Sequence, residues 1–257
     1  MESEEQLAEG SLVSHLVELR SRLIRSALSI LLIFVCLIPF AEQTFTIVAT
    51  PLMERLPENA TMIATQVASP FLTPFKTSLF VAVFLSMPVI LYQVWGFIAP
   101  GLYRKEKRFA SPLLISSIVL FYSGVAFAYF VVFPLMFGFF AAVSPEGVTM
   151  MTDISSYLDF ILTIFFAFGL AFEVPIATVM LVWSGLVSLE VLGKARAYVF
   201  LGAFVMGMLL TPPDAISQTL LAVPVYLLYE AGLILAKVLG KQDDVSANAD
   251  KSDSTDI

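Results

Sequence analysis

The stretch LYRKEKRF, residues 102–109, sets one carboxylate, Glu106, among four cations, Arg104, Lys105, Lys107 and Arg108. A second carboxylate, Glu18, lies in SHLVELRSRLIRS (14–26) beside Arg20, Arg22 and Arg25. Two such acids next to membrane-spanning runs could each accept a bidentate guanidinium, a geometry arginine provides and lysine does not. Plainer readings stand beside this one. Glu106 is equally a surface acid neutralised by its neighbours, and Glu18 can pair with Arg22 one turn on, worth a few tenths of a kcal/mol. At 100° per residue Val13, Leu16, Val17, Leu23 and Ile24 share one face of this segment and Glu18, Arg22 and Arg25 the other.

A third acid, Glu173, sits in FEVP (172–175), near the middle of an apolar run. A charge at that depth costs a few kcal/mol, and Pro175 leaves the carbonyl of Ala171 without its usual partner. Glu173 is therefore either a protonated acid bonded within the protein or a polar dock for another helix or a transported group. Thr211 and Gln218 flank the hairpin TPPD, and they either bond between the last two spans or face a partner helix. Asp214, after two prolines and before an apolar run, reads as a helix N-cap.

The elements that hold these residues follow from composition. Of 257 residues 58% are hydrophobic and only 14% charged, with a mean hydropathy of +0.89. Apolar runs long enough for a ~30 Å hydrocarbon core define a multi-pass, all-α membrane protein, because closed barrels show short alternating segments instead. Six spans are predicted, at about 24–41, 77–99, 112–133, 157–183, 197–210 and 216–236, within one membrane domain over 1–240. The tail 241–257 is expected to be a disordered acidic segment. The net charge of −7 is explained by the two acidic ends, which leave the body near neutral.

Twelve of the 14 Lys and Arg residues fall on one side of this layout, and Arg55 and Lys76 on the other. The positive-inside rule then puts both termini in the cytoplasm. Residues 42–76 are expected to form a long outer loop, too rich in proline for one continuous helix. The apolar stretch from Pro112 to Val143 is too long for the bilayer, so Pro134 is expected to kink or end it. The fifth and sixth spans read as short, the latter because Glu230 interrupts it. Cys36 is the only cysteine and His15 the only histidine, which excludes an intramolecular disulfide, a polyhistidine metal site and a His-dependent protease. No Gly-rich phosphate loop occurs. A proton-coupled solute carrier using Glu173 is the alternative class, although no internal repeat supports it.

The segments HLVELRSRL (15–23), MIATQVASPF (62–71), PVILYQVWGFIAPGLYRKEKR (88–108), FAYFVVFPL (127–135), FEVP (172–175) and GAFVMGMLLTPPDAISQTLLAVPVYLLYE (202–230) together resemble the TatC family of the twin-arginine protein translocase. The resemblance covers about residues 11–238. It implies a cup-shaped, six-helix protein of the bacterial inner membrane, without enzymatic activity or cofactor, that receives signal peptides carrying paired arginines on folded cargo. Glu18, Glu106 and Phe97 would form the signal-peptide site. Glu173, Met206, Thr211 and Gln218 would face the single-span helices of TatA- and TatB-type partners. Pro51 and Asp214 would serve assembly on the far side, where receptor copies associate. Transport would draw on the proton-motive force, and no nucleic acid is implied.

Overall fold

A computed structural model describes the backbone of residues 2–53, 61–98, 110–143, 151–211 and 214–253. Its chain divides into two compact units, Met1–Gly101 with Glu146–Asp159, and Leu102–Pro145 with Phe160–Ile257. Among the described residues five helical segments are apolar and long enough to cross a bilayer: His15–Thr50, Ser69–Ile98, Ser111–Phe140, Ile154–Trp183 and Ala215–Val238. A shorter apolar helix, Arg196–Leu210, makes a sixth.

In the first unit, α1 (Glu2–Leu37) passes through a 3₁₀ turn, Ile38–Phe40, into α2 (Ala41–Met53), and both pack on α3 (Ser69–Ile98). Pro39 sits in that tight turn, where its missing N–H breaks no longer ladder. The proline-rich segment is not one long loop: both of its ends are helical, although no single helix runs through it. Helix α2 ends at Met53 and α3 opens at Ser69, with Pro70 in its first turn. Helix α3 starts earlier than the sequence predicts and carries Pro74 and Pro88 inside it. Three of its buried hydroxyls are satisfied locally: Thr77 donates to the Thr73 carbonyl, Ser78 to Pro74 and Ser86 to Ala82, at 2.7–2.9 Å. In a membrane helix this internal bonding replaces water.

Two three-residue strands, β1 (Thr61–Ile63) and β2 (Met151–Asp153), pair in parallel, Thr61 opposite Met151 and Ile63 opposite Asp153. They are an addition that apolar periodicity does not foreshadow in an otherwise helical chain. Asp153 caps the start of α6 (Ile154–Ala171) by accepting from the N–H groups of Ser155 and Ser156, both at 3.0 Å. At its first turns Asp159 pairs with Lys76.

The second unit holds α4 (Ala110–Phe127), a π-turn at Ala128–Val132, and α5 (Phe133–Val143). Pro134 sits in the first turn of α5 and does not end the apolar segment. The wider turn just before it takes up the missing hydrogen bond, and the apolar segment runs on. A core of Ala128, Val132, Met136, Ile164, Phe168 and Leu221 joins this segment to α6 and to the last helix. Helix α6 breaks at Phe172–Glu173, and α7 (Val174–Trp183) resumes with Pro175 in its first turn. Helices α8 (Leu189–Lys194), α9 (Arg196–Leu210) and α10 (Ala215–Asp253) follow.

Small residues set the approach of these helices, as packing rather than hydrophobicity must do in lipid. A Cβ on Gly124 would strike the Phe168 carbonyl, and one on Gly232 would lie 2.8 Å from the Pro175 Cα. Helix α9, at 15 residues, is the short element the sequence predicts. Helix α10 differs. Glu230 does not interrupt it, because Arg196 neutralises that carboxylate, and the apolar stretch Ala215–Val238 spans 24 residues. The backbone stays helical to Asp253, and residues 241–253 contain no proline or glycine to break it.

Candidate functional site

Helix α1 reverses the arrangement of a soluble amphipathic helix. Its apolar residues Leu16, Val17, Leu23 and Ile24 are exposed, whereas Glu18 and Arg22 turn toward α3. Arg22 donates from Nε and Nη2 to Glu18 Oε1 at 3.0 and 2.6 Å. Its remaining arm, Nη1, reaches the Gln93 carbonyl of α3 at 3.4 Å. Four residues nearer the N-terminus than Arg22, Glu18 is thus held against the end of α3. His15 stacks on Phe97 there, ring centroids 4.3 Å apart at 26°. The structure therefore brings Glu18 and Phe97 to one end of the α1–α3 pair. Glu106 lies outside the described residues.

The i,i+4 pairing of Glu18 with Arg22 was legible from spacing. That α3 completes it was not, since Gln93 contributes a backbone atom and Gly96 an absence. A Cβ at residue 96 would clash with the Arg22 guanidinium, so glycine here lets the tip of Arg22 rest against α3.

Glu173 sits at the α6–α7 break. Glu173 Oε2 accepts from the Ser117 hydroxyl of α4 at 2.7 Å, and among the described residues its buried Oε1 has no partner. Both readings of Glu173 thus keep a footing: one oxygen is bonded within the protein and the other is available. The break exists because Pro175 cannot donate. The Glu173 N–H turns to Leu170 instead, at 3.0 Å.

At the hairpin between α9 and α10, Asp214 accepts from the Ser217 N–H at 2.7 Å, the N-cap its sequence context predicts. Thr211 is buried and donates to the Gly207 carbonyl within its own turn at 2.9 Å. Gln218 is half-buried, its backbone 3.3 Å from where a Gly207 Cβ would stand. Met206 is exposed on α9 with Val205 and Leu209. Pro51 falls in the last turn of α2. At the opposite end of the α9–α10 pair, Arg196 donates from Nη2 to Glu230 Oε2 at 2.9 Å, and its Nε lies 2.7 Å from Oε1. Tyr226 donates to the same carboxylate at 2.9 Å. A groove of about 580 Å³ around Pro39, Glu42 and Phe71 contains none of the predicted site residues.

Five helical segments long and apolar enough to cross a bilayer, with a shorter apolar helix beside them, define a polytopic membrane protein. Residues 14–224 match the family model of the Sec-independent protein translocase protein (TatC). A TatC protein of Azotobacter chroococcum is 61% identical over 92% of this chain and 93% of its own. That of Escherichia coli K12 is 53% identical over 88% of each. A crystal structure described as the twin-arginine translocase receptor TatC superposes with a TM-score of 0.78 at 39% identity, covering 87% of this chain and 98% of that one. The chain belongs to the TatC family, a component of a protein translocase rather than an enzyme. Its relatives are multi-pass bacterial membrane proteins, and this membership does not favour the solute-carrier alternative.

Proposed function

We propose that this chain is the receptor subunit of a twin-arginine translocase, binding paired-arginine signal peptides of folded cargo at the cytoplasmic face of the inner membrane. Both termini lie in the cytoplasm, as the cation distribution requires. The observation that carries the reading is the placement of Glu18 beside the Phe97-bearing end of α3, two of the three residues the resemblance assigns to the site. Glu106 supplies the second carboxylate of the pair. Two acids that each accept a guanidinium explain the choice of arginine over lysine in the cargo.

Single-span helices of TatA- and TatB-type partners dock on the α9–α10 pair, near Met206, Thr211 and Gln218, and a partner's polar group reaches Glu173. The shortness of α9 supports this, since a helix of ~22 Å leaves part of a ~30 Å core to be covered. Pro51 and Asp214 lie on the side where receptor copies associate, and the proton-motive force drives export.

The test is crosslinking of a twin-arginine signal peptide to the full chain in membranes with its partners present. Glu106→Ala and Glu18→Gln are expected to abolish the crosslink while membrane insertion is unchanged. An undiminished crosslink in either variant removes that residue from the site.

A further inference from the structure

A surface Glu–Arg pair one helical turn apart normally leaves both side chains free to change rotamer. The Glu18–Arg22 pair is built otherwise. Arg22 is only 20% exposed, and its guanidinium is fixed by two helices at once. Nε and Nη2 converge on Glu18 Oε1, while Nη1 points at the Gln93 carbonyl. The guanidinium occupies the space that a Cβ on residue 96 would need, so Gly96 forms a notch for it. The carboxylate plane of Glu18 is thereby set by α3 as well as by its own helix. Both donors fall on Oε1, which leaves Oε2 to accept from elsewhere.

We propose that Arg22, seated in the Gly96 notch, is a positioning residue that makes Glu18 selective for a guanidinium over an ammonium. The assignment rests on the reading of Glu18 as an acceptor for cargo arginine. A cargo guanidinium can converge two N–H donors on Oε2, as Arg22 does on Oε1, only when the carboxylate is already held in register. A lysine ammonium is a point charge and gains little from orientation. Arg22 also partly neutralises Glu18, so that charge alone attracts a passing cation less strongly. Affinity for paired arginines then depends on geometry, and affinity for paired lysines on residual charge.

The two dependences separate in experiment. A signal peptide carrying Arg-Arg and its Lys-Lys counterpart, each with a photo-crosslinker, are titrated against the full chain in membranes with its partners. Arg22→Lys keeps the charge and loses the fork. It is expected to weaken the Arg-Arg peptide by about tenfold and leave the Lys-Lys peptide within about twofold. Arg22→Gln removes the charge as well, so the Lys-Lys peptide binds more tightly than to the unaltered chain. Gly96→Ala keeps Arg22 and displaces its tip, lowering the Arg-Arg preference by about threefold.

An unchanged preference in Arg22→Lys or in Gly96→Ala overturns the assignment. So does a parallel loss of both peptides, the mark of an Arg22 that merely holds the fold. Failure of the underlying reading looks different: Glu18→Gln would then leave Arg-Arg binding intact.

Discussion

Asp153 Oδ2 accepts two hydrogen bonds from Thr65, 88 residues earlier in the chain, from the backbone N–H at 2.9 Å and from the hydroxyl at 2.6 Å. Its other oxygen caps the first turn of α6. One carboxylate thus closes the parallel strand pair and starts a helix.

These bonds, the Thr65 hydroxyl foremost and then the Ser156 and Thr65 N–H groups, hold the Asp153 carboxyl well below the usual carboxylate range. A folded value below the unfolded one means that the contribution is complete above about pH 4 and is lost as pH falls through the folded value. Acidification is therefore expected to loosen this clasp only in strongly acid solution. At neutral pH Asp153→Ala should accelerate amide exchange at Thr65, Ser155 and Ser156 by about tenfold. Exchange at the rate of the unaltered chain would show that the strand pair holds without the carboxylate.

Asp214, which directly follows two prolines in the sequence, opens α10 by accepting from the Ser217 N–H. Asp214→Ala is expected to cost about 1 kcal/mol and Asp214→Asn only a fraction of that, since asparagine caps nearly as well. Thermal unfolding in detergent distinguishes the two. Equal losses would mean that the negative charge, rather than capping, is what matters here.

Glycines at helix crossings should tolerate nothing larger. Gly124→Ala sets a carbon against the Phe168 backbone carbonyl, which cannot rotate away, and about 1–3 kcal/mol should be lost. Gly138 in α5 has no such neighbour within 4 Å, so Gly138→Ala should be neutral or stabilising by up to about 1 kcal/mol. Melting temperatures of the two purified variants make the comparison direct.

Glu173 and the peptide site should separate functionally. Glu173→Ala removes the acceptor of the Ser117 hydroxyl at the α6–α7 break, far in sequence from Glu18. It is expected to spare twin-arginine crosslinking and to reduce partner-dependent export severalfold. Full export by this variant would dismiss the acid as a partner contact.

Much of this architecture was legible in residue order. Apolar runs gave the spanning helices, Pro175 marked the break beside Glu173, and Asp214 after two prolines marked a cap. Misreadings arose where a distant partner decides. Glu230 looks like the end of an apolar run until Arg196, 34 positions away, is seen gripping it. Of the two outcomes expected at Pro134, the segment does not end there, and the irregularity takes the form of a wider turn just ahead of it. The strand pair at Thr61 and Met151 is too short to show any alternation. Between α1 and α3, the spacing of Glu18 and Arg22 announced their pairing, but the notch at Gly96 is a missing atom.

The wide turn at Ala128–Val132 has a further consequence. Such a turn accommodates one residue more than a regular coil over the same height. Everything from Phe133 onward is consequently turned about its axis relative to the register that α4 alone would set. Buried Phe133 and Met136 owe their inward aim to that extra residue. Excising one position between Ala128 and Val132 would re-aim the whole of α5, though every side chain in it stayed the same.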